Sequence, residues 1–302
     1  MVEIVDAAAA MAAGGGACHL AEKDYHADPC PEPSLSSSIV KLLVNATPAH
    51  AWHAHPRLNP EWKPDGGSRR TAVGSACHAL LLGQESELHE VTADNYKTKA
   101  AREERDEATA SGLTPILSAD LAKAETIVAA ARSQLPRQGL DILADGAGDA
   151  EVIVVKKGLD GWVRIKADWW SSDRYTVVDY KTIAGLASPD AFAKRAAQMD
   201  YDIQDAFYQD VIAATFPHLA GRTRFVFVVQ EIEPPYMLSA CEIAEADRTV
   251  AMRKVQSAAA TWCGCMDSGK WPGYPAGIQR VTLPPWHSNQ WLEREMEEEE
   301  AA

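Results

Sequence analysis

RIKADWWSSDRYTVVDYK, residues Arg164 to Lys181, reads as a β-hairpin whose charged residues stand at revealing places. Val163 to Asp168 and Arg174 to Tyr180 have strand composition, and Ser171, Ser172 and Asp173 between them are turn residues. Asp168 is expected to close the first strand. Asp179 and Lys181 lie two apart at the end of the second, and the two-residue period of a strand sends both side chains to one face. Carboxylates brought together by a hairpin repel each other unless a divalent cation lies between them or one takes up a proton. A lysine beside them can position and polarise a metal-activated water, or hold charge on a phosphate oxygen in the transition state.

Two further patterns flank this hairpin. Thr71 to Leu82 is expected to be a helix stopped by Gly83, with Gly74 and His78 on one face; the glycine permits close approach of another backbone, and a neutral imidazole is a suitable metal ligand. Downstream, Asp202 to Phe216 is expected to be a helix that places Gln204 and Tyr208 one turn apart. The ordered set G-x-x-x-H, Asp168, Asp179-x-Lys181 and Q-x-x-x-Y resembles the PDDEXK (RecB-like) nuclease superfamily. From SLSSSIVKLLVNATPAHAW through TAVGSACHALLLG and DYKTIAGLASPDAFAKRAAQMDYDIQDAFY to the helix before Trp271, the chain is similar to the RecE-like phage and prophage exonucleases over residues 34–272.

That resemblance implies an α/β fold with a restriction-endonuclease-like core, a mixed central β-sheet flanked by helices. It implies a metal-dependent exodeoxyribonuclease that digests linear double-stranded DNA 5′ to 3′ and exposes 3′ single strands for phage-type recombination. It further implies a ring-shaped homo-oligomer and a single-strand annealing protein as partner. Mg²⁺ or Mn²⁺ would be bound by His78, Asp168, Asp179 and the backbone carbonyl of Tyr180, with Glu151 as an additional ligand from the preceding strand. Lys181 would steer the nucleophile, Gln204 would bond the DNA backbone or orient a ligand, and Tyr208 would donate to a phosphate. A Cas4-like or repair nuclease acting on single-stranded ends, and a non-catalytic DNA-end-binding scaffold, are the rival readings.

Composition sets the outer bounds. A chain of 302 residues, 46% hydrophobic and 24% charged, is long enough to bury a full core. No apolar run approaches the roughly 20 residues needed to span a bilayer. No Lys or Arg precedes Lys23, so the positive region of a signal peptide is missing, and a bacterial or phage-infected cytoplasm is the expected location. Six cysteines without a regular framework read as thiols of a reducing compartment, and Cys263-Gly-Cys265 lacks the spaced trio of an iron–sulfur site. The net charge of −14 excludes a broadly basic surface; the tail from Glu293 contributes −5, leaving −9 for the body. Local basic residues, Arg69, Arg70, Lys156, Arg164 and Lys166 among them, are candidates to line a DNA channel.

Residues 1–33, rich in Ala and Gly and then Pro, are expected to be a flexible segment without chemistry. Residues 34–145 should be the mainly helical part of the nuclease domain, with a polar loop from Asn59 to Arg70 and a short helical piece at Leu140–Ala144. His50, His53 and His55 are expected to pack rather than bind metal, having no carboxylate partner nearby. Residues 146–272 should be the sheet core and closing helix. They begin with a hairpin turning at Gly158–Gly161 and include a strand, Arg224 to Gln230, parallel to the one ending at Lys181 because a helical crossover joins them. Trp169 and Trp170 could stack on a base or pack. Residues 273–302 are expected to be an irregular extension with an acidic tail.

Overall fold

In a computed structural model of the chain, residues 2–63, 69–140, 142, 146–158 and 161–300 are described. The tip of the 158–161 turn, the Leu140–Ala144 piece apart from Leu140 and Ile142, the end of the Asn59–Arg70 loop and the side chains of Arg69 and Arg70 lie outside them. The chain divides into two units, Met1–Trp271 and Pro272–Ala302.

The first unit opens with β1 (Ile4–Val5), α1 (Ala7–Ala12), β2 (Gly15–Cys18), α2 (Glu22–His26) and β3 (Ser34–Leu35), followed by α3 (Ser37–Asn45), α4 (Pro48–Ala54) and α5 (Arg69–Leu81). A small parallel pair, β4 (Leu88–Val91) and β5 (Thr114–Leu117), is joined through α6 (Lys99–Ala110), and α7 (Ser118–Gln134) follows. Three antiparallel strands come next: β6 (Gly148–Gly158), β7 (Gly161–Ser171) and β8 (Thr176–Ile183). Helices α8 (Pro189–Met199) and α9 (Tyr201–Thr215) cross to β9 (Arg224–Glu231), and β10 (Leu238–Cys241) and α10 (Glu245–Ser268) complete the unit. Local chemistry sets these limits. Ser188 caps α8 by accepting from the Ala191 amide, with Pro189 at its first position, and Asp200 at φ 52° breaks α8 from α9.

The main sheet runs β1-β2-β6-β7-β8-β9-β10 and is mixed: β9 lies parallel to β8, with Asp179 beside Phe227, while β10 returns antiparallel. One face is covered by α3, α9 and α10, which bury Trp170, Phe225 and Phe227 with Ile203, Val211 and Trp262. The other face is divided. Helices α5 and α7 cover Val178, Val226 and Val228, whereas α1 covers Cys18, Ile153 and Val155. Apart from its first residue β9 is buried throughout, which fits its run of apolar residues and its place between two layers. Burying each large side chain contributes about 1.5–3 kcal/mol.

The sheet forks at β7. Strands β6 and β7 stay paired from Gly148 opposite Ser171 to Gly158 opposite Gly161, but β7 and β8 pair only at Trp169 with Val178 and Trp170 with Val177. Lower on the same edge, β3 takes over at Trp162 and Val163. Asp168 and Asp179 are the next residues after the last β7–β8 pair, so both carboxylates stand where the strands part.

Several expectations need correction. Residues 1–33 are not a flexible segment: β2 pairs with β6 from Gly15 opposite Lys156 to Cys18 opposite Ile153, and Val2, Ala10, Ala17 and Cys18 are buried. The small residues that suggested disorder are what lets α1 lie on the strand, since a Cβ on Gly16 would meet the Ala10 Cβ at 3.1 Å. The mainly helical part also contains β3, β4 and β5. Asp168 does not close its strand, which continues to Ser171, and both tryptophans are core residues on opposite faces, Trp169 at 7% and Trp170 at 0% exposure. Neither can stack on a base. Arg164 is also buried, 3.1 Å from Asp28 and donating to the Ser34 carbonyl at 2.8 Å, so it does not line a channel. His55 does have a carboxylate neighbour, Asp28 at 3.3 Å, but both are wholly buried in this same packing cluster. None of the six cysteines is in a disulfide.

In the second unit, Pro285–Glu300 forms α11, so this extension is not wholly irregular. Proline suits a helix start, and Glu, Leu and Met are good helix formers. No helix among the described residues is long and apolar enough to cross a membrane.

Candidate active site

Each strand of the fork delivers a charged side chain to one cleft of about 480 Å³. Asp168 comes from β7, Asp179 and Lys181 from β8, and Glu151 from β6, where its φ of 56° interrupts the regular ladder opposite Asp168. His78 is presented by α5, which approaches β8 closely because Gly74 has no side chain: a Cβ there would lie 2.9 Å from Thr182 Oγ1. Gln204 and Tyr208 enter from α9 on the opposite layer.

Three ion pairs divide the three carboxylates. His78 Nε2 is 3.0 Å from Asp168 Oδ2, Lys181 Nζ is 2.6 Å from Asp179 Oδ2, and Lys166 Nζ contacts Glu151 Oε2. The Tyr180 amide donates to Asp168 Oδ2 at 2.8 Å, and Gln204 Nε2 donates to Asp179 Oδ1 at 2.6 Å. Two buried carboxylate oxygens nevertheless lack a hydrogen bond, Glu151 Oε1 and Asp179 Oδ2. Each faces a cation instead: Asp179 Oδ2 is 2.6 Å from Lys181 Nζ, and Glu151 Oε1 is 3.5 Å from His78 Nδ1.

Charge tuning follows from this arrangement. Burial alone would push His78 down, but Asp168 and Glu151 outweigh it and raise the imidazole to about 9. Burial of Asp168 is likewise overcome, by His78, Lys181 and the Tyr180 amide, and its carboxyl falls below the usual range. Burial and the nearby Asp168 charge raise Asp179 against the pull of Lys181, and burial raises Glu151 against Lys166. Lys181 is held above the ordinary lysine range because Asp179 and Asp168 prevail over burial.

His78, Glu151 and Asp168 each offer one ligand atom, all within 4.8 Å of one another. Oxygen donors with one imidazole suit a hard divalent cation, and the two orphaned oxygens are acceptors that such an ion would satisfy. The residues present therefore fit the group. Asp179, held by Lys181 and Gln204, stands beside this trio in the same cleft.

Tyr180 lines the cleft while its ring packs away from it, with its hydroxyl on Gln230. Tyr208 is placed differently from expectation: its hydroxyl donates to the Lys166 carbonyl at 2.9 Å, so it has a backbone acceptor in β7 rather than an open face toward a phosphate. Sequence reasoning also missed Glu22, Tyr25 and His26 of α2, which line the same cleft. The only local signal was the acid–histidine pair at i, i+4, whose side chains meet at 3.4 Å.

A mixed sheet that splits beside an acid and an Asp-x-Lys pair, with helices on both faces, defines the PDDEXK class of nuclease folds. The chain belongs to the family described as PDDEXK-like domain of unknown function (DUF3799), whose model matches residues 36–282. It is also similar in fold to a crystal structure from Eubacterium rectale described as a "putative exonuclease". The two are 18% identical, the match covers 88% of this chain and 96% of that one, and the TM-score is 0.57. No curated protein matches the sequence.

Proposed function

We propose that the chain is an exodeoxyribonuclease using Mg²⁺ or Mn²⁺ to hydrolyse linear double-stranded DNA from the 5′ end, leaving 3′ single strands for recombination. The observation that carries the nuclease reading is the His78, Glu151 and Asp168 cluster beside Asp179 and Lys181 at the fork of the sheet. Duplex preference, 5′ to 3′ polarity, a cytoplasmic setting, a ring-shaped oligomer and a single-strand annealing partner are supported by the resemblance to RecE-like exonucleases.

His78, Glu151, Asp168 and Asp179, with the Tyr180 carbonyl, would hold the cation. When bound, it would supply Lewis acidity at the phosphate and make a water acidic enough to act near neutral pH. The protein's own groups do the rest. Lys181 Nζ, held against Asp179, orients the attacking water and offsets negative charge building on the phosphorus oxygens. Gln204 fixes the rotamer of Asp179, and Tyr208 fixes β7 at Lys166, two residues before Asp168. Attack by the water oxygen forms one P–O bond and breaks the bond to the leaving sugar oxygen; the water gives up a proton to solvent, and the leaving oxygen takes one up from solvent to depart as a hydroxyl.

Digestion of linear duplex labelled separately at each 5′ and 3′ end tests the reading, with EDTA, circular duplex and Lys181→Ala as controls. Early release of the 5′ label, from linear DNA only and dependent on metal and Lys181, is the expected result. Cutting of circles, or of single strands alone, would place the protein in another nuclease class.

A further inference from the structure

A second groove, of about 900 Å³, shares Glu22, His26, Ser75 and Thr114 with the catalytic cleft, so the two depressions are continuous past α2. Trp62 lies half-buried in its wall on a turn that is firmly built. Asn59, itself buried, accepts from the Glu61 amide at 2.9 Å through its side chain and from the Trp62 amide at 3.1 Å through its carbonyl. Its side-chain amide donates to the His53 carbonyl at the end of α4, at 2.8 Å. An indole is thus presented on a rigid support with one part of its surface open to the groove.

The charged residues near it complete the pattern. Lys23 and Lys63 line the groove. Lys23 reaches toward the end of α6, where its Nζ would be 3.9 Å from a Cβ on Gly112. Glu22 is matched by His26 at 3.4 Å, leaving Glu61 as the acid set against these two lysines. An aromatic platform flanked by lysines, in a groove that leads to a cluster of metal-ligand type, is the chemistry that holds a single nucleic-acid strand by stacking and phosphate contact.

We propose that this groove binds the single-stranded stretch of DNA adjoining the scissile phosphate, with a base stacked on Trp62 and phosphates beside Lys23 and Lys63. The inference rests on the nuclease reading and adds a strand-binding subsite to it. The shared residues fix its direction: a strand in the groove passes α2 and arrives at Asp168 and Lys181.

The test is fluorescence anisotropy of a labelled dodecathymidylate titrated with wild type, Trp62→Ala, Trp62→Phe and Lys23→Gln in Ca²⁺, run beside digestion of linear duplex in Mg²⁺. The wild type is expected to bind the strand, Trp62→Ala to bind on the order of tenfold more weakly, and Trp62→Phe to recover most of that loss. Lys23→Gln is expected to reduce the slope of log affinity against log salt by about 0.7, the signature of one lost phosphate contact. No binding by the wild type, or equal binding by Trp62→Ala, overturns the subsite. A wild type that binds the strand and leaves the duplex intact overturns the duplex-exonuclease reading while the groove stands.

Discussion

Asp179 is gripped from two sides, by Lys181 at 2.6 Å and by Gln204 at 2.6 Å, and the two grips have different consequences. Lys181→Ala removes a positive charge that acts at the phosphate, so kcat is expected to fall by about a hundredfold or more with metal binding retained, checked by single-turnover hydrolysis and calorimetric metal titration. Gln204→Ala only frees the Asp179 rotamer, and a loss of about tenfold to a hundredfold is expected in the same assay. The strand period puts Asp179 and Lys181 on one face and the hairpin brings Asp168 to them, whereas His78 and Gln204 stand out in the sequence only through the ordered motifs of the PDDEXK resemblance. The partner of the Tyr208 hydroxyl could not be read there, since a backbone carbonyl in β7 leaves no residue signature. Glu22 and His26 were hidden for another reason: they reach the cleft only because β2 docks on β6, a contact carried by small and apolar residues.

Helix α5 carries His78 to the fork only as far as Gly74 lets it approach β8. Gly74→Ala places a methyl group 2.9 Å from Thr182 Oγ1, and a loss of about 1–3 kcal/mol is expected in urea denaturation, together with lower activity. Adding Thr182→Ala should recover much of both. Deleting residues 1–33 strips β2 from the long strand β6 and uncovers Ile153 and Val155, so the truncated chain is expected to aggregate on mild heating, as read by light scattering. A soluble truncation with unchanged melting would show that the N-terminal strands are dispensable. The hairpin and the parallel β9 were legible, the first from its alternation and turn residues, the second from the length of its helical crossover. β3 and the β4–β5 pair, two to four residues each, are too short to carry a period, and their pairing is set by tertiary contacts.

For the molecule as a whole, an overall charge of −14 is reconciled with a phosphate substrate by local pairing: the cleft carboxylates are matched by His78, Lys166 and Lys181. Asp205, on α9 away from that trio, shows how burial couples charge to stability. Burial, opposed by the Gln209 hydrogen bond and by Arg248, pushes its carboxyl up to about 6. The folded chain therefore keeps a proton that the unfolded chain releases near its ordinary value of about 3.9, and stability falls as pH rises from about 4 to about 6. Asp205→Asn removes that penalty and should stabilise the protein by about 1–3 kcal/mol near neutral pH, the gain shrinking toward pH of about 4 in urea titrations. The nuclease claim itself is tested most directly by release of acid-soluble nucleotides from linear duplex as Mg²⁺ is titrated into metal-stripped wild type and Asp168→Asn. A saturable metal dependence in the wild type, lost in Asp168→Asn, is the expected result. Hydrolysis without metal, or an unaltered metal response in Asp168→Asn, would contradict the site described at the fork of the sheet.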